Sequence, residues 1–320
     1  MRIVFFGSPD FALPTLRRLI ESEHEIVGVF TQPDRPAGRG RKLVPPPVKT
    51  MAMERGLPVF QPKRLSKRDG VEQLRRLQPD VGVLAAYGQI LSQEVLDVPP
   101  LGILNVHASL LPRWRGAAPV AAAILAGDRE TGATIMKIVR ELDAGPILGA
   151  SRLVITPNDT TGTLTERIAE AGAALLMELL PAYLRGERAL VEQDNLQATY
   201  APVIRKSDAL IHWAADDAAT IQRKVKAYNP WPVAYSYLSG KPLRILDAVA
   251  LEHHTGEPPG TIFAWSGVGE SALPGSGFGV TTRQGDLGVE RVQYAGGKEM
   301  SAAAFLNGHR EIVGMRLTSD

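Results

Sequence analysis

Asn105 and His107 stand two residues apart in the run Gly102-Ile103-Leu104-Asn105-Val106-His107. Ile103, Leu104 and Val106 are β-formers that follow the turn signal Pro99-Pro100, so the run predicts a strand. Alternation along a strand puts Asn105 and His107 on one face and Leu104 and Val106 on the other. The strand gives way to Ser109-Leu110-Leu111-Pro112 and then to a glycine, so the polar pair falls at a carboxyl end. Open α/β sheets place their chemistry there. A neutral imidazole takes or relays a proton near pH 7. An amide NH2 donates to an oxyanion forming on a carbonyl carbon. The pair therefore points to acyl-type transfer. The imidazole needs a third group to orient it, and Asp143, in Leu142-Asp143-Ala144-Gly145-Pro146, is the best placed because it follows a second apolar strand, Ala133 to Val139. An isolated Asn-x-His also fits a hydrogen-bonded structural histidine, and Asp143 an ordinary turn former. The neighbouring segments decide between these readings.

Residues 1–100 alternate strand and helix. Arg2 to Phe6, Glu25 to Phe30, Pro58 to Phe60 and Val81 to Ala86 read as strands. Leu13, Leu16, Leu19 and Ile20 mark a helix that Asp10 can cap, and Val71 to Leu77 marks another. The alternation predicts an α/β, Rossmann-like domain with a mainly parallel sheet. Its first turn, Gly7-Ser8-Pro9-Asp10, lacks the later glycines of a dinucleotide fingerprint, and no P-loop or G-x-S-x-G elbow occurs. Ala117 to Ala126 and Thr160 to Leu184 read as helices, the latter with an apolar face through Leu164, Ile168, Ala171, Leu175, Leu176 and Leu179. Arg152 to Ile155 reads as a further strand. The polar, aperiodic stretch around 187–209 reads as a linker between a domain at 1–186 and one at 210–320. After a helix at Asp217 to Ala227, the second domain carries short β-like runs at Leu243 to Leu246, Thr261 to Trp265, Gly277 to Thr282 and Gly288 to Val292. Such runs predict a small antiparallel barrel or sandwich. The Gly- and Ser-rich Trp265 to Gly279 reads as a variable loop.

Hydrophobic residues make up 44% of the 320, and charged residues 22%, as in ordinary globular chains. No run of about 18 apolar residues predicts a transmembrane helix. Arg2-Ile3-Val4-Phe5-Phe6 enters a strand at once, so no signal or transit peptide is expected, and the expected location is the cytoplasm. With no cysteine, disulfides, thiol catalysis and cysteine-ligated metals are excluded. His24, His212, His253, His254 and His309 show no ligand spacing with carboxylates, so no metal is assigned. A net charge of +2 does not itself argue for nucleic-acid binding, so that argument must come from local distribution.

Between Thr31 and Lys49 lies a long aperiodic loop carrying Arg35, Arg39, Arg41, Lys42 and Lys49 against the acid Asp34. Clustered cations on such a loop suit a polyanion, although a solvated basic loop has the same composition. Arg205-Lys206 and Arg223-Lys224-Lys226 are further basic clusters beside the second domain.

Several segments together resemble the folate-dependent formyltransferases. They are Asn105-Val106-His107, Ser109 to Pro112, Arg113-Trp114-Arg115-Gly116-Ala117-Ala118-Pro119 and Asp143, with Gly7 to Phe11, Thr31 to Gly40 and Tyr228-Asn229-Pro230-Trp231-Pro232. The match covers nearly the whole chain. The basic loop and the Tyr228 to Pro232 motif narrow it to members that act on methionyl-tRNA. The resemblance implies formyl transfer from 10-formyltetrahydrofolate to the α-amine of initiator methionyl-tRNA, with no metal. It implies Asn105, His107 and Asp143 as catalytic residues, with Ser109, Leu110, Leu111 and Pro112 lining the folate side. It implies that the basic loop enters the tRNA acceptor stem, with Arg39 its important arginine and Arg41 and Lys42 able to share the role. Arg205 and Lys206 are candidate tRNA contacts by their charge beside the barrel, the second domain is expected to be OB-like and the chain a monomer. A formyltransferase acting on a small amine, such as a ribonucleotide or nucleotide sugar, would share the three catalytic residues but need neither the basic insert nor the barrel. A non-catalytic tRNA-binding protein on the same scaffold would need no intact triad.

Overall fold

Near-continuous apolar runs suit strands buried on both faces, which is the condition of a parallel sheet covered by helices. A computed structural model of the chain describes residues 1–37, 42–252, 255–266 and 277–319. It begins with β1 (Arg2–Gly7), α1 (Leu13–Ile20), β2 (Glu25–Phe30), β3 (Arg35–Ala37), β4 (Lys42–Val44), α2 (Pro47–Glu54), β5 (Val59–Phe60) and α3 (Arg68–Arg76). Next come β6 (Val81–Ala85), α4 (Gln93–Leu96), β7 (Ile103–His107), β8 (Arg115–Gly116), α5 (Pro119–Ala126), β9 (Glu130–Lys137), β10 (Ile147–Val154), α6 (Thr161–Leu184) and β11 (Tyr200–Ala201). The remainder is α7 (Ala218–Ala227), β12 (Tyr235–Leu238), β13 (Lys241–Leu251), β14 (Ile262–Trp265), β15 (Gly277–Thr281), β16 (Asp286–Tyr294), β17 (Glu299–Ser301) and α8 (Ala302–Gly308).

The chain divides into two compact units. The first contains Met1–Pro119, Glu130–Val154 and Leu164–Pro202, and the second contains Val120–Arg129, Ile155–Thr163 and the chain from Val203. The stretch expected as a linker is thus shared, its larger part belonging to the first unit.

In the first unit the sheet order is β10-β9-β7-β6-β1-β2-β5. Neighbours from β7 to β5 run parallel, while β9 lies antiparallel to β7 and β10 to β9. The chain moves outward from β1 to β2 and β5, then returns to place β6 and β7 on the other side of β1. Such a reversal opens a crevice at the carboxyl ends of the strands. Leu104 and Val106 face a core with Ile135, Leu148, Leu176 and Leu179. Gly172 of α6 lets that helix come close, because a Cβ there would stand 2.6 Å from Val106 Cγ1. The face opposite α6 is the one that carries Asn105 and His107.

Two local expectations differ from what forms. Asp10 does not cap α1: it opens a 3-10 turn, Asp10–Ala12, entered from Pro9 with no side-chain cap bond. The Thr31–Lys49 stretch is not wholly irregular. Its β3 and β4 pair antiparallel, and α2 starts at Pro47, where a proline costs no helical hydrogen bond. Apolar periodicity reveals neither element, because prolines occupy the entry and the strands are short.

In the second unit the antiparallel order is β12-β13-β16-β15-β14, with β17 also on β16. The chain's last segment bridges to both edges, Thr318 to Tyr237 of β12 and Arg316 to Thr261 beside β14. Leu317 lies between them, 3% exposed. Covering both edges in this way closes the sheet into a small barrel-like body and removes free strand edges. Ile221 and Val225 of α7 and Phe305 of α8 pack into a core with Leu243, Ile245, Phe278, Val280 and Val289. Among the described residues no helix is long and apolar enough to cross a membrane.

Candidate active site

Strand β7 ends at His107, opposite Thr134 of β9. Asn105 and His107 are both buried, each 6% exposed. The Asn105 Oδ1 accepts no hydrogen bond from the protein. A buried amide oxygen without a partner is costly in a structural residue and useful where a polar substrate binds.

The chain then folds back on itself. Ser109 donates from Oγ to the Arg113 carbonyl at 2.6 Å, and Thr134 donates from Oγ1 to the Ser109 carbonyl, also at 2.6 Å. Leu111 N in turn donates to Thr134 Oγ1 at 3.1 Å. This tight loop brings the Trp114 carbonyl to 3.0 Å from His107 Nε2. A carbonyl only accepts, so Nε2 carries a hydrogen. On the other side of the ring, Nδ1 faces Asp143 Oδ2 at 3.7 Å. The structure thus brings Asp143 to the face that carries Asn105 and His107, although β9, which precedes it, runs antiparallel to β7 and ends opposite Leu104, so following that strand does not put it at the carboxyl end of β7.

Asp143 is held from several directions. Its backbone is left-handed, with φ +48°. Its Oδ2 accepts from Gly116 N at 2.8 Å. Gly116 belongs to β8, which pairs with β11 through Arg115–Tyr200 and Gly116–Ala201. At Gly116 φ is +111°, and a Cβ would stand 2.6 Å from the Ala201 carbonyl oxygen, so the position requires glycine. Gly145 is constrained likewise, since a Cβ there would meet the Lys137 carbonyl oxygen.

Trp114, Gln193 and Thr199 support this site without being marked for it in the sequence. Trp114 acts through its backbone oxygen, which side-chain chemistry does not advertise. Gln193 and Thr199 lie in the stretch read as a linker, and Thr199 Oγ1 accepts from Trp114 N at 2.9 Å. No periodicity marks them.

Ser109 is fully buried, with its hydroxyl committed inside the loop, and Leu111 is 8% exposed. A cavity of about 550 Å³ is lined by Gln93, Leu96, Pro99, Lys137, Val139 and Arg140 among others, and includes neither Ser109–Pro112 nor the three polar residues. Arg39 and Arg41 lie outside the described residues, as do His253 and His254 and most of the Trp265–Gly279 loop. The described base of the basic loop is anchored: Asp34 takes Lys49 Nζ at 2.8 Å and Gln61 Nε2 at 2.7 Å. These bonds, Gln61 foremost, hold the Asp34 carboxyl below its ordinary range. Arg205 and Lys206 are exposed at a 3-10 turn. By contrast, the second cluster is engaged within its own unit. Arg223 donates to the Leu125 carbonyl, Lys224 pairs with Asp216 at 2.6 Å, and Lys226 donates to the Pro157 carbonyl. Among the described residues no group of three or more His, Asp or Glu side chains could hold a metal ion.

The formyl transferase family profile matches residues 1–180, and the formyl transferase C-terminal domain profile matches 203–310. A methionyl-tRNA formyltransferase of Methylococcus capsulatus is 51% identical over 99% of this chain and 99% of its own. One from Chloroflexus aggregans is 47% identical over 96% of this chain and 97% of its own. Among solved structures, HypX from Aquifex aeolicus in complex with tetrahydrofolic acid shares the fold at 20% identity and TM-score 0.65, over 98% of this chain and 48% of that one. The sugar 3N-formyltransferase WlaRD, crystallised with dTDP and 5-N-formyl-THF, is similar at 15% identity and TM-score 0.63, over 93% of this chain and 99% of its own. With both family profiles matched and close relatives aligned from end to end, the chain belongs to the formyl transferase family, among the methionyl-tRNA formyltransferases.

Proposed function

We propose that the chain transfers the formyl group of 10-formyltetrahydrofolate to the α-amine of initiator methionyl-tRNA in the cytoplasm. The single observation that carries this reading is the end-to-end identity of 51% with a methionyl-tRNA formyltransferase. The convergence of Asn105, His107 and Asp143 supports it.

The reaction forms a bond between the amine nitrogen and the formyl carbon and breaks the bond from that carbon to N10 of the folate. One proton leaves the amine and one reaches N10. No covalent enzyme intermediate is needed. As the amine attacks, negative charge develops on the formyl oxygen, and Asn105 Nδ2 stabilises it together with Nδ1–H of the protonated His107 ring, whose Nε2 hydrogen goes to the Trp114 carbonyl. The Asn105 Oδ1, which takes no protein donor, is available to an amine N–H of the substrate. Asp143 holds the ring from the Nδ1 side and moves the amine proton toward N10 through water. Ser109 to Pro112 build the loop that sets His107, and their contact with folate is through the outer surface of that loop. The first unit takes the folate and performs the transfer. The basic loop and the second unit, with Arg205 and Lys206 exposed, hold the tRNA.

Formyl transfer measured in parallel with methionyl-tRNA, free methionine and a small ribonucleotide amine tests the reading. Product is expected with methionyl-tRNA alone; transfer to the small amine at a comparable rate would overturn it.

A further inference from the structure

Gln193 sits between the buried Arg115 and the loop that carries Asp143. Its side chain is 9% exposed and uses its whole hydrogen-bonding capacity. The amide Nε2 donates to the Asp143 carbonyl at 2.8 Å and to the Gly145 carbonyl at 2.7 Å. The amide Oε1 accepts from Arg115 Nε at 3.1 Å and from Arg115 Nη2 at 2.7 Å. Arg115 is itself 3% exposed, and its Nη2 also donates to Asn195 Oδ1 at 2.9 Å. Two neutral amide oxygens thus hold a buried guanidinium.

These bonds close a ring. Arg115 is followed by Gly116, whose N–H holds the Asp143 carboxylate at 2.8 Å. Gln193 holds the Asp143 backbone and returns to Arg115. Asp143 is therefore gripped at both its carboxylate and its carbonyl. A left-handed aspartate at φ +48° needs such a grip to keep one conformation. A cation on the amide oxygen also polarises the amide and strengthens both N–H donors.

We propose that Gln193 is a positioning residue for formyl transfer: with Arg115 it fixes the Asp143 loop, and so sets how Asp143 meets His107. Gln193 itself touches neither reacting group. The inference rests on the formyl-transfer reading above.

Gln193→Met keeps the size of the side chain and removes all four bonds. Gln193→Glu keeps acceptors for Arg115 and turns oxygen toward the Asp143 and Gly145 carbonyls, so it removes the donors alone. Each variant is made in the full-length parent and in Asp143→Asn, and kcat, both KM values and a melting curve are measured. In the parent background kcat falls by about tenfold to a hundredfold, as for a misplaced catalytic group, while both KM values stay near the parent's. In the Asp143→Asn background the same substitutions cost little further, because their effect runs through Asp143. An equal loss in both backgrounds, or parent-like kcat in a folded Gln193→Met, overturns the proposal. If Gln193→Met does not fold, Gln193→Glu carries the same cycle. A parent enzyme inactive on methionyl-tRNA would instead remove the functional reading on which the inference stands.

Discussion

His107 has an acceptor on each side of its ring, the Trp114 carbonyl at Nε2 and the Asp143 carboxylate beyond Nδ1. The Trp114 carbonyl fixes the ring plane, and Asp143 faces the ring at a distance, 3.7 Å, that leaves room for a shift when substrate arrives. Asn105, one strand pleat away, offers an amide whose oxygen has no partner in the protein. If these groups serve the formyl carbon, each deletion reads out as rate. Asn105→Ala should lower kcat by about 10²–10³, the usual worth of one oxyanion donor. His107→Ala and Asp143→Asn should keep parent-like circular dichroism and lose most transfer. A folded His107→Ala with nearly full turnover would remove the mechanism. A period of two made it legible in the sequence that Asn105 and His107 share a face, whereas Asp143 was singled out by the neighbouring motifs and by no period. The Trp114 carbonyl was not, since a backbone atom acts there, and Gln193 was not, since its partners lie about 50 and 80 positions away in the chain.

Short elements, more than long ones, place this chemistry. The long strands and α6 could be read from apolar periodicity, and their bounds differ from the expected ones by a few residues. The pairing of β8 with β11 spans only Arg115–Gly116 and Tyr200–Ala201, too little to leave a pattern. Yet it sets the Gly116 N–H against Asp143. Gly116→Ala is a sharp probe: its Cβ would lie 2.6 Å from the Ala201 oxygen, and φ +111° resists any L side chain. We expect a lower melting temperature and a fall in kcat of about 10²-fold. Gly186→Ala is the control, with φ +71° but nothing within 4 Å, and should leave kcat unchanged. Helix α7 permits a separate test in the second unit. Asp217 caps it, accepting from Thr220 N at 2.7 Å, and that bond holds its carboxyl below the usual range. The folded state therefore binds fewer protons than the unfolded chain. This contribution is full above the ordinary carboxylate range and is lost as pH falls through the lowered value. Asp217→Ala should cost about 1 kcal/mol near neutral pH and less in acid. Urea titrations of parent and variant at neutral and acid pH check it, and a constant difference across pH would contradict the linkage.

At the scale of the molecule, a net charge of +2 conceals an uneven distribution. The Arg223, Lys224 and Lys226 cations are engaged inside the second unit, whereas Arg205 and Lys206 are exposed, and the loop between Asp34 and Lys49 holds a concentrated positive run. Sequence composition marks all three clusters alike. The packing separates the two described clusters, since Arg223, Lys224 and Lys226 brace the fold while Arg205 and Lys206 stay exposed. The Asp34–Lys49 pair ties the two ends of the loop together, so substitutions between them should leave the sheet intact. Arg39 lies between Gly38 and Gly40, and a guanidinium presents a planar fork that matches phosphate where lysine does not. Arg39→Ala should weaken use of methionyl-tRNA and leave binding of a folate analogue nearly unchanged, and Arg39→Lys should recover part of the loss. Arg41 and Lys42 can share the work, so the decisive variant replaces all three. Neutralised phosphates release counterions, so the triple variant should also flatten the log–log salt dependence of tRNA binding, by up to about one unit for each phosphate no longer neutralised. Arg205→Ala with Lys206→Ala should show the same signature if those residues meet the tRNA backbone. Filter binding of methionyl-tRNA across a salt series, with calorimetric titration of the folate analogue in parallel, measures both. Should the triple variant formylate charged tRNA at the parent's rate and bind it with the parent's salt slope, the loop is not the tRNA-reading element, and recognition must rest on the second unit.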